Sequence, residues 1–232
     1  MFEDQFVHVP ETVLPGGRIV PAFEVGQYPT TRYSVDGSLA ICADGAPWVS
    51  IDYHQSNREA ETAGYKLIRE SQWLALAYQI AAQDDNWTGG KVGEGKLYQG
   101  LRMGSVRSGQ IGTYEPRDKD ERTWFVLPGG ERIYHLAGNV YEWVFDDVQG
   151  DDKGLIAKPF TADSPSLVIP YPAEDKGQGW TPRAGTDWSG NALIRGGCWR
   201  SGSSAGAFRL DFGWPVSERG SVGFRCTKPV GL

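Results

Sequence analysis

Histidine and cysteine are scarce in this chain, and their scarcity limits its metal and redox chemistry. Only three histidines are present, and none stands at the spacing to another ligand that a zinc site needs. The cysteines Cys42, Cys198 and Cys226 are an odd number and include no CxxC pair. We therefore expect buried free thiols, while a disulfide between two of them stays open.

The sequence also lacks an excess of positive charge and long apolar runs. The net charge is −6, whereas binding to nucleic acid or to an anionic membrane needs clustered lysine and arginine. No run of 18 or more apolar residues is present, so membrane insertion is not expected. Residues 1–13 lack the basic start and apolar stretch of a secretory signal. The sequence does not specify where the protein is located, and a place on a virion or a cell surface stays open.

Glycine and tryptophan, in contrast, are abundant. The chain holds 31 glycines in 232 residues, nearly twice the usual share of about 7%, and nine tryptophans. Large aromatic rings bury much area for little lost side-chain entropy, and they can hold loops in place. No internal repeat and no linker divides the chain, so we expect one loop-rich domain over residues 1–232.

Two segments carry the signals of helices. Asp52 and Gln55 stand at capping-box spacing, and Gly64 is suited to end the helix that they begin. A second helix is predicted to start at Glu70 or Ser71. Its apolar residues recur on one face at 3.6-residue spacing: Trp73, Leu76, Ala77, Ile80 and Ala81.

Short strands are predicted before these helices and in the C-terminal half. Their approximate positions are residues 22–27, 140–145, 193–194 and 222–226. Residues 150–188 are rich in proline, aspartate and glycine, so we expect an irregular segment there. The acidic pairs 146–147 and 151–152 are interpreted as solvated loop faces, whereas Trp143 and Trp199 are interpreted as core.

Four groups of segments, in order along the chain, resemble a known family. They are residues 23–31 (FEVGQYPTT), residues 47–53, 64–67 and 70–73 (PWVSIDY, GYKL, ESQW), residues 136–143 (LAGNVYEW), and residues 194–199 with 222–226 (IRGGCW, VGFRC). Together they resemble the formylglycine-generating-enzyme, or sulfatase-modifying, family. The resemblance implies an α+β, C-type lectin-like fold that is loop-rich, with two helices and short mixed or antiparallel strands. Ile68 and Arg69 depart from the family pattern, because they remove the usual threonine cap of the second helix.

The resemblance does not extend to the residues that carry catalysis in the family. Its enzymes use two cysteines after the GGSW-like motif to bind copper, and the matching positions are about Ser201 and Gly206. Neither residue can replace a thiolate. Cys198 stands too early, and Cys226 belongs to the closing strand. A related branch uses iron held by a set of histidines, which this chain lacks. We expect a protein that is not an enzyme. The alternative is an oxidase of the formylglycine-generating type, or another metal-dependent enzyme of the same fold.

The LAGNVYEW segment corresponds to the place where the family binds a structural calcium ion. Carried over, the resemblance puts calcium ligands at Gly138, Val140 and Glu142, with His135 at the position of an amide. Calcium prefers hard oxygen ligands, and imidazole is a poor substitute. We expect no cofactor and a Glu142 that is hydrogen-bonded within the protein, while structural calcium stays open.

Residues 199–221 (WRSGSSAGAFRLDFGWPVSERGS) carry the strongest functional signal. They mix aromatic, charged and small polar residues, as binding surfaces do. Their place between RGGxW and GFR resembles that of the variable proteins of diversity-generating retroelements, in which reverse transcription rewrites adenine-containing codons. By that resemblance the frame is Gly206, Phe208, Leu210, Phe212 and Pro215. The ligand-binding residues are then Arg200, Ser201, Ser203, Arg209, Asp211, Gly213, Trp214, Glu218, Gly220 and Ser221.

This second resemblance implies a ligand-binding protein with a diversified surface, of the kind used in phage or viral host recognition. We expect its partner to be a protein or another cell-surface ligand, with no nucleic-acid partner. We expect the protein itself to be a monomer. An invariant structural protein with the same fold is a further alternative. The sequence does not identify the ligand.

Overall fold

The computed structural model describes residues 4–33, 36–172 and 174–231. Within these residues it has two α-helices and fourteen strands of two to four residues, joined by long loops. In chain order these elements are β1 (Phe6–Val9), β2 (Thr12–Val13), β3 (Ile19–Val20), β4 (Phe23–Gly26), β5 (Thr31–Arg32), β6 (Leu39–Ala40), α1 (Tyr53–Thr62), β7 (Lys66–Leu67), α2 (Glu70–Ala81), β8 (Trp124–Val126), β9 (Arg132–Tyr134), β10 (Tyr141–Val144), β11 (Ala192–Arg195), β12 (Leu210–Gly213), β13 (Val222–Phe224) and β14 (Cys226–Pro229).

Both predicted helices are present. At α1 the Asp52 carboxylate accepts a hydrogen bond from the Gln55 amide at 2.7 Å, and Gly64 after the helix has a φ of +82°. α2 begins at Glu70 and buries the predicted apolar face, with the Trp73 side chain fully buried. Both helix predictions are therefore confirmed. Neither helix is long and apolar enough to span a membrane, and no other α-helix occurs in the described part of the chain.

Eight of the strands form two four-stranded sheets. In the first, β1, β4, β14 and β7 lie side by side in that order, and all neighbours are antiparallel. In the second, the order is β12, β11, β10 and β13, and only the pair β10–β13 is parallel. The pairs β2–β3, β5–β6 and β8–β9 form separate two-stranded sheets. This arrangement confirms the predicted combination of two helices with short mixed and antiparallel strands.

Residues 222–226 differ from the prediction of one continuous strand. The chain forms β13 in the second sheet and, after Arg225, β14 in the first. The buried Arg225 guanidinium donates to both carboxylate oxygens of Glu142, at 2.9 and 2.7 Å, and to the carbonyls of Gly26 and Tyr134. A buried arginine must satisfy its donors within the protein. Arg225 therefore fixes the point at which the chain passes from one sheet to the other.

A second buried ion pair joins α2 to the second sheet. Arg195, at the end of β11, donates to both carboxylate oxygens of Glu70 and to the Phe208 carbonyl. Neither Arg195 nor Glu70 has exposed surface. The Trp73 indole N–H donates to the Ala207 carbonyl at 2.7 Å. The first turn of α2 therefore fixes the backbone around residues 207–208.

The predicted burial of tryptophans and thiols is largely confirmed. Trp143 is fully buried, and Trp199 keeps 8% of its surface exposed. All three cysteines are free thiols. Cys198 and Cys226 are buried as expected, whereas Cys42 is only partly buried.

The acidic pair at residues 146–147 differs from the expectation of a solvated loop face. Asp146 is fully buried, and its carboxylate accepts hydrogen bonds from two backbone amides. Asp147 accepts hydrogen bonds from the amide and the hydroxyl of Ser71, in the first turn of α2. The interpretation of this pair was wrong because both carboxylates serve groups that would otherwise lack hydrogen-bond partners.

Candidate ligand-binding site

Residues 199–221 leave β11 through a glycine pair. Gly196 and Gly197 have φ values of +86° and +92°, which residues with a side chain rarely adopt. A Cβ atom on Gly196 would also lie 2.6 Å from the carbonyl oxygen of Leu136. The sharp turn after β11 therefore depends on both glycines, and it fixes where the following segment begins.

The predicted frame residues differ in their degree of burial. Phe208 and Leu210 are fully buried. Gly206 is buried, and a Cβ atom on it would lie 2.3 Å from the backbone of the neighbouring loop. Phe212 and Pro215 are only partly buried. Phe208, Leu210 and Gly206 therefore form the rigid part of the frame.

The ten predicted ligand-binding residues fall into three groups by exposure. The exposed ones are Arg200, Ser203, Trp214, Glu218 and Gly220, and the partly buried ones are Ser201, Arg209, Asp211 and Ser221. Gly213 is buried, and a Cβ atom on it would lie 2.5 Å from the ring of Trp143. Assigning Gly213 to the ligand-binding residues was therefore wrong, because the Trp143 ring from β10 occupies the space that a side chain at position 213 would need.

Five of the ten residues line one open depression of about 640 Å³ beside the second sheet: Arg200, Ser201, Asp211, Trp214 and Ser221. The lining also includes residues that sequence reasoning did not assign to binding: Tyr141, Ile194, Cys198, Ser204, Phe212, Arg219 and Val222. We call these twelve residues the candidate site. The remaining predicted residues lie outside it: Ser203, Arg209, Gly213, Glu218 and Gly220. No local pattern marks Tyr141, because the pairing of β10 with its neighbours in the second sheet brings it close to the segment, and its amide donates to the Ser221 carbonyl at 2.9 Å.

A hydrogen-bond network joins Arg209 to the candidate site. Its guanidinium donates to the Asp211 carboxylate at 2.6 Å and to the Tyr141 hydroxyl at 3.2 Å. The Ser201 hydroxyl lies 3.5 Å from the same Tyr141 hydroxyl and accepts a hydrogen bond from the Cys198 amide. Burial raises the pKa of Tyr141, so its phenol stays protonated at neutral pH. With a side chain only 11% exposed, Arg209 holds site residues in position and is not itself freely displayed.

The irregular segment 150–188 supports the surface beside the candidate site. The Phe208 amide donates to the Gln178 carbonyl at 2.8 Å, and the Leu210 amide donates to the Trp180 carbonyl at 3.0 Å. The Trp180 side chain is 45% exposed, and the Arg209 guanidinium lies 4.8 Å from the centre of its ring. Sequence reasoning missed this contribution, and the only local signal was a tryptophan within a glycine- and proline-rich stretch.

The residues at the expected calcium position do not fit a calcium site. Both Glu142 carboxylate oxygens accept hydrogen bonds from Arg225, so a cation there would meet a guanidinium. The His135 ring donates through Nε2–H to the Ile111 carbonyl at 3.0 Å, and burial lowers the pKa of His135 to about 4. Among the four predicted ligands, the single carboxylate is therefore already bound to a guanidinium, whereas calcium prefers several hard oxygen ligands that are free to coordinate it.

The positions that correspond to the copper cysteines also lack the donors for copper. The Ser201 hydroxyl lies 3.6 Å from the Cys198 thiol, and Gly206 has no side chain. Within the residues that the structure describes, no group of three or more His, Cys, Asp or Glu side chains is placed to hold a metal ion. The candidate site thus offers hydroxyl, guanidinium and carboxylate groups with a single thiol.

Comparison with known proteins yields structural matches only. No protein-family model matches the chain, and no curated protein matches it. CarF matches with 11% identity and a TM-score of 0.53, over 99% of this chain and 100% of that chain. PvdO from Pseudomonas aeruginosa matches with 15% identity and a TM-score of 0.51, over 97% of this chain and 94% of that one. Treponema denticola variable protein 1 matches with 15% identity and a TM-score of 0.50, over the same shares of the two chains.

The chain has the C-type lectin-like fold of the formylglycine-generating-enzyme type. The fold predicted from the four motif groups is therefore confirmed. The matches extend over nearly the whole chain, so the C-type lectin-like fold includes the second sheet and the segment beside it. At identities of 11–15% the likeness establishes the fold alone, and function depends on the chemistry of the candidate site.

Proposed function

We propose that this protein binds a ligand through its C-terminal segment and is not an enzyme. The C-type lectin-like fold serves as a frame, and residues 199–221 carry a diversified surface, as in a variable protein of a diversity-generating retroelement. One observation carries the proposal. Along this segment, exposed side chains of mixed chemistry are interleaved with side chains that are fully buried in the frame.

The chemistry of the candidate site supports binding to a large partner. Trp214 is 62% exposed, and Arg200 and Arg219 line the same depression. Neither arginine forms an ion pair within the described part of the chain. Tryptophan and arginine are the residues that most often dominate the energy of protein interfaces. A depression this open also suits a surface contact better than the enclosed clefts that bury most of a small molecule.

The partner in this proposal is a protein or another cell-surface ligand, and the setting is phage or viral host recognition. A protein named as variable, from Treponema denticola, has the same fold. Its name supports the reading of residues 199–221 as a diversified segment.

The gene locus provides the direct test. We expect a near-copy of codons 198–225 beside a reverse-transcriptase gene, with differences confined to adenine-containing codons. Those differences should fall on exposed positions such as Arg200 and Trp214 and should spare the buried Phe208 and Leu210. A locus without such a copy would contradict diversification and would favour an invariant structural protein with this fold.

An oxidase of the same fold is the second candidate, and Cys198 is the observation that favours it. Cys198 belongs to the lining of the depression, and thiolates bind Cu(I) well. Cys42 and Cys226 do not line it. Titration of wild type and Cys198→Ser with Cu(I), combined with oxygen uptake on a thiol peptide, separates the candidates. We expect neither stoichiometric copper binding nor oxygen uptake, and copper binding that disappears in Cys198→Ser would favour the oxidase.

A further inference from the structure

A second cavity, of about 490 Å³, lies between α1, β7 and the start of α2. It shares no residue with the candidate site. Its charged lining comes from four elements of the chain: Arg58 and Glu61 on α1, Lys66 on β7, Arg69 before α2, and Asp152 and Lys153 in the loop after β10. The cavity therefore gathers side chains that are far apart in the sequence.

The side chains that line this cavity carry an excess of positive charge, whereas the whole protein has a net negative charge. Lys66 and Glu61 form an ion pair at 2.9 Å. Arg58, Arg69 and Lys153 form no ion pair with any described residue. With four cationic side chains and the two carboxylates of Glu61 and Asp152, the lining has a net charge of +2, in a chain whose net charge is −6. This local excess of positive charge favours a bound anion.

The backbone beneath these cations is held firmly. Arg58 lies in the middle of α1, and the Arg69 guanidinium lies 5.8 Å from the centre of the Phe145 ring. The Tyr53 hydroxyl donates to the Lys153 carbonyl at 2.7 Å, and the Lys153 amide donates to the Asp151 carboxylate at 3.0 Å. The backbone that carries these three side chains is thus held in place around the cavity, while the charged ends are exposed.

We propose that this cavity is a binding site for a phosphate-type dianion, either free or as part of a larger molecule. A guanidinium group can donate two parallel hydrogen bonds to two oxygens of one phosphate group, and an ammonium group adds a compact positive charge. The Asn57 side chain also lines the cavity, and its amide is a neutral donor for a further oxygen. The site is independent of the proposed function, because no residue of the segment 199–221 takes part.

Isothermal titration calorimetry with inorganic phosphate and pyrophosphate, at constant ionic strength set with chloride, tests the proposal. We expect saturable binding to wild type. The variant Arg58→Ser, Arg69→Ser, Lys153→Ser should lose at least tenfold in affinity, equal to about 1.4 kcal/mol. The matched control is Arg107→Ser, Arg117→Ser, Lys119→Ser, which removes the same charge from exposed residues outside the cavity. The control should bind as wild type does.

A second variant covers the case in which Arg69, next to α2, is needed for folding. Arg58→Ser with Lys153→Ser leaves that residue intact and should still weaken binding tenfold. Cosedimentation with phosphatidylcholine vesicles, with and without phosphatidic acid, tells a lipid phosphate from a free one. Absence of saturable binding in every arm, or equal loss in the cavity variant and the control, would overturn the proposal.

Discussion

Asp146 is a buried carboxylate that uses only part of its hydrogen-bonding capacity. Its Oδ1 accepts hydrogen bonds from the amides of Val148 and Gln149, both at 3.0 Å, while no described residue donates to its Oδ2. Burial, and then the nearby Glu70 carboxylate, raise the pKa of Asp146 to about 6. The folded protein therefore holds this proton more tightly than the unfolded chain does.

The raised pKa predicts a pH-dependent stability that Asp146→Asn should remove. The stabilisation by protonated Asp146 is complete below the ordinary pKa of 3.8 and is lost as the pH rises through about 6. The unfolding free energy of the variant minus that of wild type should be about 2 kcal/mol larger at about pH 7.5 than at about pH 4.5. Urea unfolding of both proteins at the two pH values measures this difference. A constant difference would mean that Asp146 titrates at its ordinary pKa in the folded protein.

Gly213 and Gly220 belong to the same predicted set but have opposite surroundings. A Cβ atom on Gly213 would lie 2.5 Å from the Trp143 ring, whereas on Gly220 the nearest atom would be the Ser50 hydroxyl oxygen at 3.9 Å. We expect Gly213→Ser to lower the unfolding free energy by about 1–3 kcal/mol, because the ring must move. Gly220→Ser should change it by no more than about 0.5 kcal/mol. Equal effects of the two substitutions in urea unfolding would show that position 213 has room for a side chain and would restore Gly213 to the ligand-binding residues.

Among the elements, α2 begins without a capping side chain of its own. Before it, the Arg69 amide donates to the Gln72 side chain at 3.0 Å. The cap comes from Asp147, after β10, which accepts hydrogen bonds from the Ser71 amide at 2.9 Å and its hydroxyl at 2.7 Å. The same carboxylate forms an ion pair with Arg18 at 2.6 Å. A carboxylate at this end of a helix also interacts favourably with the helix dipole.

This capping arrangement predicts unequal costs for its two charged partners. Asp147→Ala should lower the unfolding free energy by about 1–2 kcal/mol, because α2 loses its cap. Arg18→Ser removes a partly exposed ion pair and an exposed hydrogen bond to the Asp147 carbonyl at 2.8 Å, so its cost should stay below about 1 kcal/mol. Thermal and urea unfolding of the two variants provide the comparison. If both lose the same amount, the ion pair and not the cap is the stabilising contact.

On the scale of the whole molecule, Arg225 joins the two sheets and occupies the Glu142 carboxylate. We therefore expect the melting temperature to be the same in excess calcium and in EDTA. A bound ion at a hundredfold excess over its Kd would stabilise the fold by about 2.7 kcal/mol, which a thermal melt detects readily. A calcium-dependent rise of several degrees would show that Glu142 leaves Arg225 for the metal.

The separation of frame and display is also a property of the whole molecule. The triple variant Arg200→Ser, Trp214→Ser, Glu218→Ser changes exposed residues only and should melt within a few degrees of wild type. Phe208→Ala, in the fully buried frame, should cost about 3–5 kcal/mol. The triple variant, but not the parent, should fail to bind the ligand once it is known. An unfolded triple variant beside a stable Phe208→Ala would place the binding face on the opposite side of the segment.

Both helices, the approximate positions of most strands, the buried tryptophans and the fold could be predicted from the sequence. These features depend on patterns within short stretches, such as the capping-box spacing at Asp52 and the 3.6-residue repeat of α2. Of the ten residues predicted to bind a ligand within the segment 199–221, five are exposed, four are partly buried and one is buried, and their role in binding stays a prediction. That residues 1–232 form a single domain and that the protein is a monomer stay predictions.

Which of those residues meet in one site could not be predicted, because it depends on contacts between distant parts of the chain. The burial of Gly213 depends on Trp143, seventy positions earlier in the chain, and Arg209 is held by Tyr141. The support from Trp180 comes from a segment without any periodic pattern. Arg225 divides the last predicted strand because it must meet Glu142. Each is a contact between residues remote in sequence, which packing of the second sheet creates and no local pattern encodes.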